Sequence, residues 1–130
     1  RLPSLLTENP PQLIVVELGG NDGLRGMSLK EMERNLRAMI RLGREKDAEI
    51  ILISVDLPPS YGLHFRQQFE AVFTRLAALP QVDHMALGFD LLKDRALLQD
   101  DGIHPTAEAQ PLLLDAVWSI LAANIYQPEK

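Results

Sequence analysis

The sequence predicts an α/β fold with parallel strand pairing, and three observations carry that expectation. Leu13-Ile14-Val15-Val16-Glu17-Leu18 and Ile50-Ile51-Leu52-Ile53-Ser54-Val55 are short, nearly continuous apolar runs rich in β-branched residues, the pattern of strands buried on both faces. Between them lies a segment whose apolar residues recur at helical spacing. Strand, helix and strand in this length form a βαβ unit, which implies parallel strands and a right-handed crossover.

Each element has its own signal. The first strand is bounded by Pro10-Pro11 and Gly19-Gly20. Ser28 opens a capping box with Glu31, and Leu29, Met32, Leu36, Met39 and Ile40 follow on one helical face until Gly43 ends it. After Val55, the loop Asp56-Leu57-Pro58-Pro59-Ser60-Tyr61-Gly62 leads into a helix with Phe65, Phe69, Val72, Phe73, Leu76 and Leu79 as its apolar positions, closed by Pro80. A weaker third strand spans Val82 to Leu87. Thr106 caps a last helix that carries Ala109, Leu112, Leu113, Ala116, Val117, Ile120 and Leu121 on one face. Pro111 either removes a backbone bond about five positions into that helix or marks its true first turn. Trp118 and the three phenylalanines read as core. Glu17, inside an apolar run, needs a hydrogen-bond partner or an opening to face. Gln127 to Lys130 read as a frayed tail.

Composition narrows the function. At 130 residues the chain is at most one domain. A net charge of −5 supplies no basic stripe, so no nucleic-acid partner is expected. Cysteine is absent, which excludes disulfides, thiolate metal sites and cysteine nucleophiles, and fits cytosol and periplasm equally. No apolar run approaches the roughly 20 residues of a membrane span. His64, His84 and His104 are too scattered for a metal motif, and no cofactor is expected.

Two short segments carry chemistry. Asp101 and His104 stand three apart with Gly102 between and Pro105 after, on a turn ahead of the last helix. A carboxylate so placed accepts the imidazole Nδ1–H, fixes the tautomer and leaves Nε2 free as a base. Alone, the pattern is more often a turn with a solvated histidine; Asp100 adjoins it without the three-residue spacing. The second segment, Gly19-Gly20-Asn21-Asp22-Gly23, leaves the carboxyl end of a strand, where open α/β sheets bind ligands. There the Asn21 amide aims an N–H at a bound group, as an oxyanion hole requires, although Asn-Asp-Gly is equally good turn chemistry. His64 and His84 lack a carboxylate at catalytic spacing and read as surface or structural. None of the five serines is a credible nucleophile: Ser28 is a cap, Ser54 and Ser119 lie inside regular elements, and Ser4 and Ser60 lack a strand-to-helix elbow.

Together these residues resemble the GDSL or SGNH hydrolase family, within it the bacterial multifunctional thioesterase I, lysophospholipase and arylesterase group. The likeness rests on Val16 to Gly26, on Leu57 to Gly62, on Gln99 to Pro105 and on Ala109-Gln110-Pro111, in that order along the chain. It implies a three-layer, flavodoxin-like α/β fold with a parallel sheet, and hydrolysis of small acyl esters or thioesters. By the same resemblance Asn21 matches the oxyanion-hole asparagine, His104 the general base and Asp101 the acid that orients it. Gly20, Leu57, Pro58 and Tyr61 match positions bordering the acyl groove. A periplasmic or secreted location is implied as well, with the cytoplasm left open. The family's opening block, with its nucleophilic serine and first strands, belongs upstream of Arg1, so residues 1–130 are expected to be a single partial domain, inactive alone. The strand Leu13 to Leu18 is then an edge that pairs with another copy or with the missing segment.

Overall fold

A computed structural model describes residues 1–88 and 94–125. In chain order the elements are α1 (Leu2–Glu8), β1 (Leu13–Val16), α2 (Gly20–Leu24), α3 (Leu29–Arg44), β2 (Glu49–Val55), α4 (Leu63–Ala77), β3 (Val82–Leu87) and α5 (Gln110–Ile125), with single 3-10 turns at Pro59–Tyr61, Arg95–Leu97 and Ala107–Ala109. The three strands form one parallel sheet in the order β1-β2-β3. Ile14 pairs with Ile50, and Ile50 with Val82, so all three strands point the same way. Helices α3 and α4 cover one face and α5 crosses β2 and β3 on the other, completing three layers.

Alternation along β2 divides the core. Ile50 and Leu52 face α3 and α4 and join Val16, Met32, Leu36, Ile40, Leu57, Phe69, Val72, Phe73 and Leu76 in one buried cluster. Ile51 and Ile53 point to the opposite face and are equally buried. A central strand with both faces covered explains why its sequence is an unbroken apolar run. Helix α3 begins at the expected cap, where Glu31 N–H donates to Ser28 Oγ at 3.3 Å. Its far side is tied to α4 by Glu33, which accepts from Arg75 at 2.6 Å and from Arg37 at 3.0 Å. The hydrogen bond from Arg75 holds the Glu33 carboxyl below its usual range.

Four expectations are corrected. The first strand ends at Val16, and its two faces are unequally covered: Val15 is 45% exposed, since α5 packs mainly on β2 and β3, whereas Val16 is buried. Glu17 and Leu18 lie beyond the strand, exposed. Residues 20–24, read as a loop, form a single helical turn. Trp118 is 48% exposed rather than core, since α5 rests on the sheet through its other side. Thr106 does not cap the last helix: it heads a separate 3-10 turn and its hydroxyl makes no cap bond, so of the two readings of Pro111 the structure selects the first turn of α5. The segment α1 had no expectation attached to it, and Gln127 to Lys130 lie outside the described residues.

Phe73 is the largest fully buried side chain and touches the sheet, α3 and the turn after β1. Phe73→Ala should lower stability by about 3–5 kcal/mol in urea unfolding, as large-to-small changes at packed sites do; a loss below about 1 kcal/mol would contradict the packing described here.

Candidate active site

The turn that carries Asn21 is pressed onto the end of the sheet. Gly19 adopts φ +100°, a conformation that side chains oppose, and a Cβ there would lie 3.2 Å from both Met32 Sδ and Phe73 Cζ. A Cβ on Gly20 would lie 2.8 Å from Val55 Cγ2. One on Gly23 would lie 2.6 Å from Phe69 Cε2 and 2.8 Å from Leu57 Cδ2. The glycines thus serve close approach as much as chain reversal. Asn21, on the outer side of the same turn, is exposed.

His104 sits on a clamped loop between β3 and α5. Leu98 and Pro105 form an antiparallel bridge, Gln99 N–H donates to the His104 carbonyl at 2.8 Å, and Gln99 Nε2 donates to the Pro105 carbonyl at 2.9 Å. Gly102, at φ +68°, turns the chain so that Asp101 faces the residues that follow it. Asp101 Oδ1 accepts the backbone N–H groups of Ile103 at 2.9 Å and His104 at 3.0 Å, and Asp101 Oδ2 lies 2.7 Å from His104 Nδ1. These bonds, the backbone one from His104 foremost, lower the Asp101 pKa to about 2. An ionised carboxylate at Nδ1 keeps the proton there and leaves Nε2 as the acceptor.

Asn21, Gly20, Pro58 and His104 line one cavity of about 440 Å³ at the carboxyl ends of the strands. Leu57 and Tyr61, expected beside the groove, are not on its wall. Leu57 is buried beneath Gly23, and the Tyr61 hydroxyl donates to the Leu24 carbonyl at 2.7 Å. Glu17 faces this opening, as an acid in an apolar segment must. The wall also contains Met39 of α3, Ile53 of β2 and Leu113 of α5, residues whose apolar spacing marked them only as core. Periodicity cannot separate a core position from a cavity wall.

A second serine–histidine contact lies within the sheet, where Ser54 Oγ is 2.9 Å from His84 Nε2. The parallel register sets Leu52 opposite His84, so Ser54 reaches the ring from two residues along; burial pushes the His84 pKa down, and its ring stacks on Phe73 at 6.2 Å. Ser54 is buried and, like the other four serines, absent from the cavity wall. Among the described residues, no group of three or more histidine, cysteine or acidic side chains gathers as a metal site.

Residues 1–111 match the GDSL-like lipase/acylhydrolase family. The chain belongs to that family. It is 40% identical over 122 residues to esterase TesA of Pseudomonas aeruginosa, covering 93% of this chain and 61% of that protein. It is 38% identical over 118 residues to thioesterase 1/protease 1/lysophospholipase L1 of Escherichia coli K12, covering 88% and 56%. The chain thus spans less than two thirds of the length of these curated relatives. Among solved structures, TesA superposes with a TM-score of 0.85 at 39% identity, covering 95% of this chain and 69% of that one. AlinE4, described as an SGNH-hydrolase family esterase, superposes at 0.70 and 30% identity, covering 98% and 69%. The three-layer parallel architecture is therefore that of GDSL/SGNH hydrolases.

Because the folded pKa of Asp101 lies below the ordinary carboxylate value of 3.8, its bonds stabilise the turn above pH 3.8 and are lost as pH falls through about 2. The Asp101 carboxyl carbon should titrate with a midpoint near 2 by NMR. A midpoint at the ordinary value would mean that the three bonds do not persist in solution.

Proposed function

We propose that this chain contributes the base, its orienting acid and an oxyanion donor to a serine hydrolase of carboxylic esters or acyl thioesters. The supporting observation is that His104, braced by Asp101, and Asn21 line the same cavity although they stand 83 positions apart. The nucleophile is a serine from a segment outside these 130 residues, because no serine of the chain lines that cavity. That serine attacks the acyl carbonyl while His104 Nε2 takes its proton. His104 then protonates the departing alcohol or thiol, and a water activated by the same nitrogen releases the acid. Asp101 stabilises the imidazolium formed in each half. The Asn21 amide donates to the developing oxyanion, with Gly20 and Pro58 shaping the wall beside it. The names of relatives agree with this chemistry: esterase, arylesterase, thioesterase and lysophospholipase.

The open side of β1 favours a physical role for the segment that brings the serine. Among the described residues β1 pairs only with β2, which leaves its outer N–H and C=O groups without a strand partner next to the exposed Val15 and Leu18. The completing segment adds a strand there, and without it a second copy of the chain takes that place. Light scattering at micromolar concentration should then give a mass above 14.5 kDa. A stable monomer would contradict the edge proposal while leaving the catalytic one standing.

A fluorophosphonate probe tests the chemistry. The 130-residue chain alone should remain unlabelled, since loss of the serine in a triad costs about 10⁶ in turnover. In the complete enzyme His104→Ala should abolish ester turnover and Asn21→Ala should lower it by about 10²–10³. Labelling of the isolated chain would show that one of its own serines is the nucleophile; a silent His104 substitution would reassign the base.

A further inference from the structure

We infer that Tyr61 is a positioning residue for Asn21, holding the one-turn helix α2 in place from behind rather than meeting substrate. A single helical turn leaves its last carbonyls unsatisfied, and an isolated turn of five residues is not stable on its own. In this structure those groups all have partners. The Asn21 carbonyl accepts Arg25 N–H at 3.1 Å, the Asp22 carbonyl accepts Met27 N–H at 2.9 Å and the Gly23 carbonyl accepts Gly26 N–H at 3.0 Å. These three partners belong to the same stretch of chain and move with it. The Leu24 carbonyl instead accepts the Tyr61 hydroxyl at 2.7 Å, from a turn 37 residues away.

The base of that tether is rigid. Tyr61 closes the 3-10 turn Pro59–Tyr61, with Pro58 and Pro59 ahead of it, and its ring stacks on Phe65 of α4 with centroids 6.4 Å apart. Leu57, in the same loop, fills the space beneath Gly23 together with Phe69. One loop therefore supplies both the apolar floor under α2 and a hydrogen bond at its end. Asn21, in the same turn, lines the cavity, as does Leu24 whose carbonyl Tyr61 holds. Fixing both the floor and the end of α2 fixes the backbone from which the Asn21 amide extends. A donor aimed at an oxyanion must be in place before charge develops, because reorienting it during the reaction forfeits the gain.

The proposal rests on Asn21 being the oxyanion donor, so the test has two readouts. Tyr61→Phe keeps the ring and removes only the hydroxyl. In the 130-residue chain, amide hydrogen exchange at Gly23 and Arg25, whose N–H groups close α2, should quicken about tenfold or more, while Ile51 to Ile53 of β2 stay within about twofold. In the complete enzyme the same variant should lower kcat about tenfold or more with KM within about twofold, since the lost interaction acts only in the transition state. In an Asn21→Ala background it should lower kcat no further, the coupling expected if both act through one group. Ser60→Ala, an exposed neighbour on the same turn, is the control and should leave both readouts unchanged. Unaltered exchange at Gly23 and Arg25, or equal quickening throughout β2, would overturn the positioning role. If Asn21→Ala leaves turnover intact, the oxyanion reading fails, and the exchange data still decide whether Tyr61 holds the turn.

Discussion

Everything at the candidate site depends on the parallel register of three strands. With Ile14, Ile50 and Val82 in line, the chain leaves each strand at the same end of the sheet. The Asn21 turn follows β1, the Pro58–Tyr61 loop follows β2, and the loop bearing His104 lies between β3 and α5. Segments far apart in sequence therefore meet at one rim, the place where open α/β sheets bind their ligands. The sheet is in turn anchored by β2, whose residues Ile50 to Ile53 are buried against helices on both faces and whose Ser54 Oγ lies 2.9 Å from His84 Nε2 of β3.

On that scaffold the two chemical groups are held by different physics. Asp101 is anchored locally: Gly102 permits the turn, two backbone N–H groups and the imidazole converge on one carboxylate, and the Leu98–Pro105 bridge closes the loop behind them. Asn21 is anchored by tertiary packing, since its turn rests on Phe69, Leu57, Val55 and Phe73 through glycines that admit no side chain. A local device survives changes elsewhere in the fold, whereas a packed one transmits them, which makes the Asn21 side the more sensitive half of the candidate site.

Much of this was legible in the sequence, for identifiable reasons. The apolar runs at 50–55 and 82–87, the Ser28 cap and the spacing of Asp101 and His104 are one-dimensional signals of local physics, and the structure places each element within a few residues of its expected position. What could not be read was set by contacts between segments. Gly19 to Gly23 has turn composition, yet packing against α4 and β2 winds it into a helical turn. Leu57 and Tyr61 stand in the motif expected to border the groove, but the loop faces them inward, under α2. Trp118 and Val15 are apolar without being covered, because hydrophobicity tells that a face needs a partner and not whether a described element provides one.

In the proposed reaction Asn21 and His104 act on one bound acyl group. The most direct test is a ¹⁵N NMR titration of the chain with a short-chain fatty acid, the product class of that proposed reaction, following the Asn21 side-chain amide and the His104 imidazole together. Shifts at both groups that saturate with one dissociation constant are expected. Perturbation of one without the other, or of each with its own affinity, would contradict a shared site.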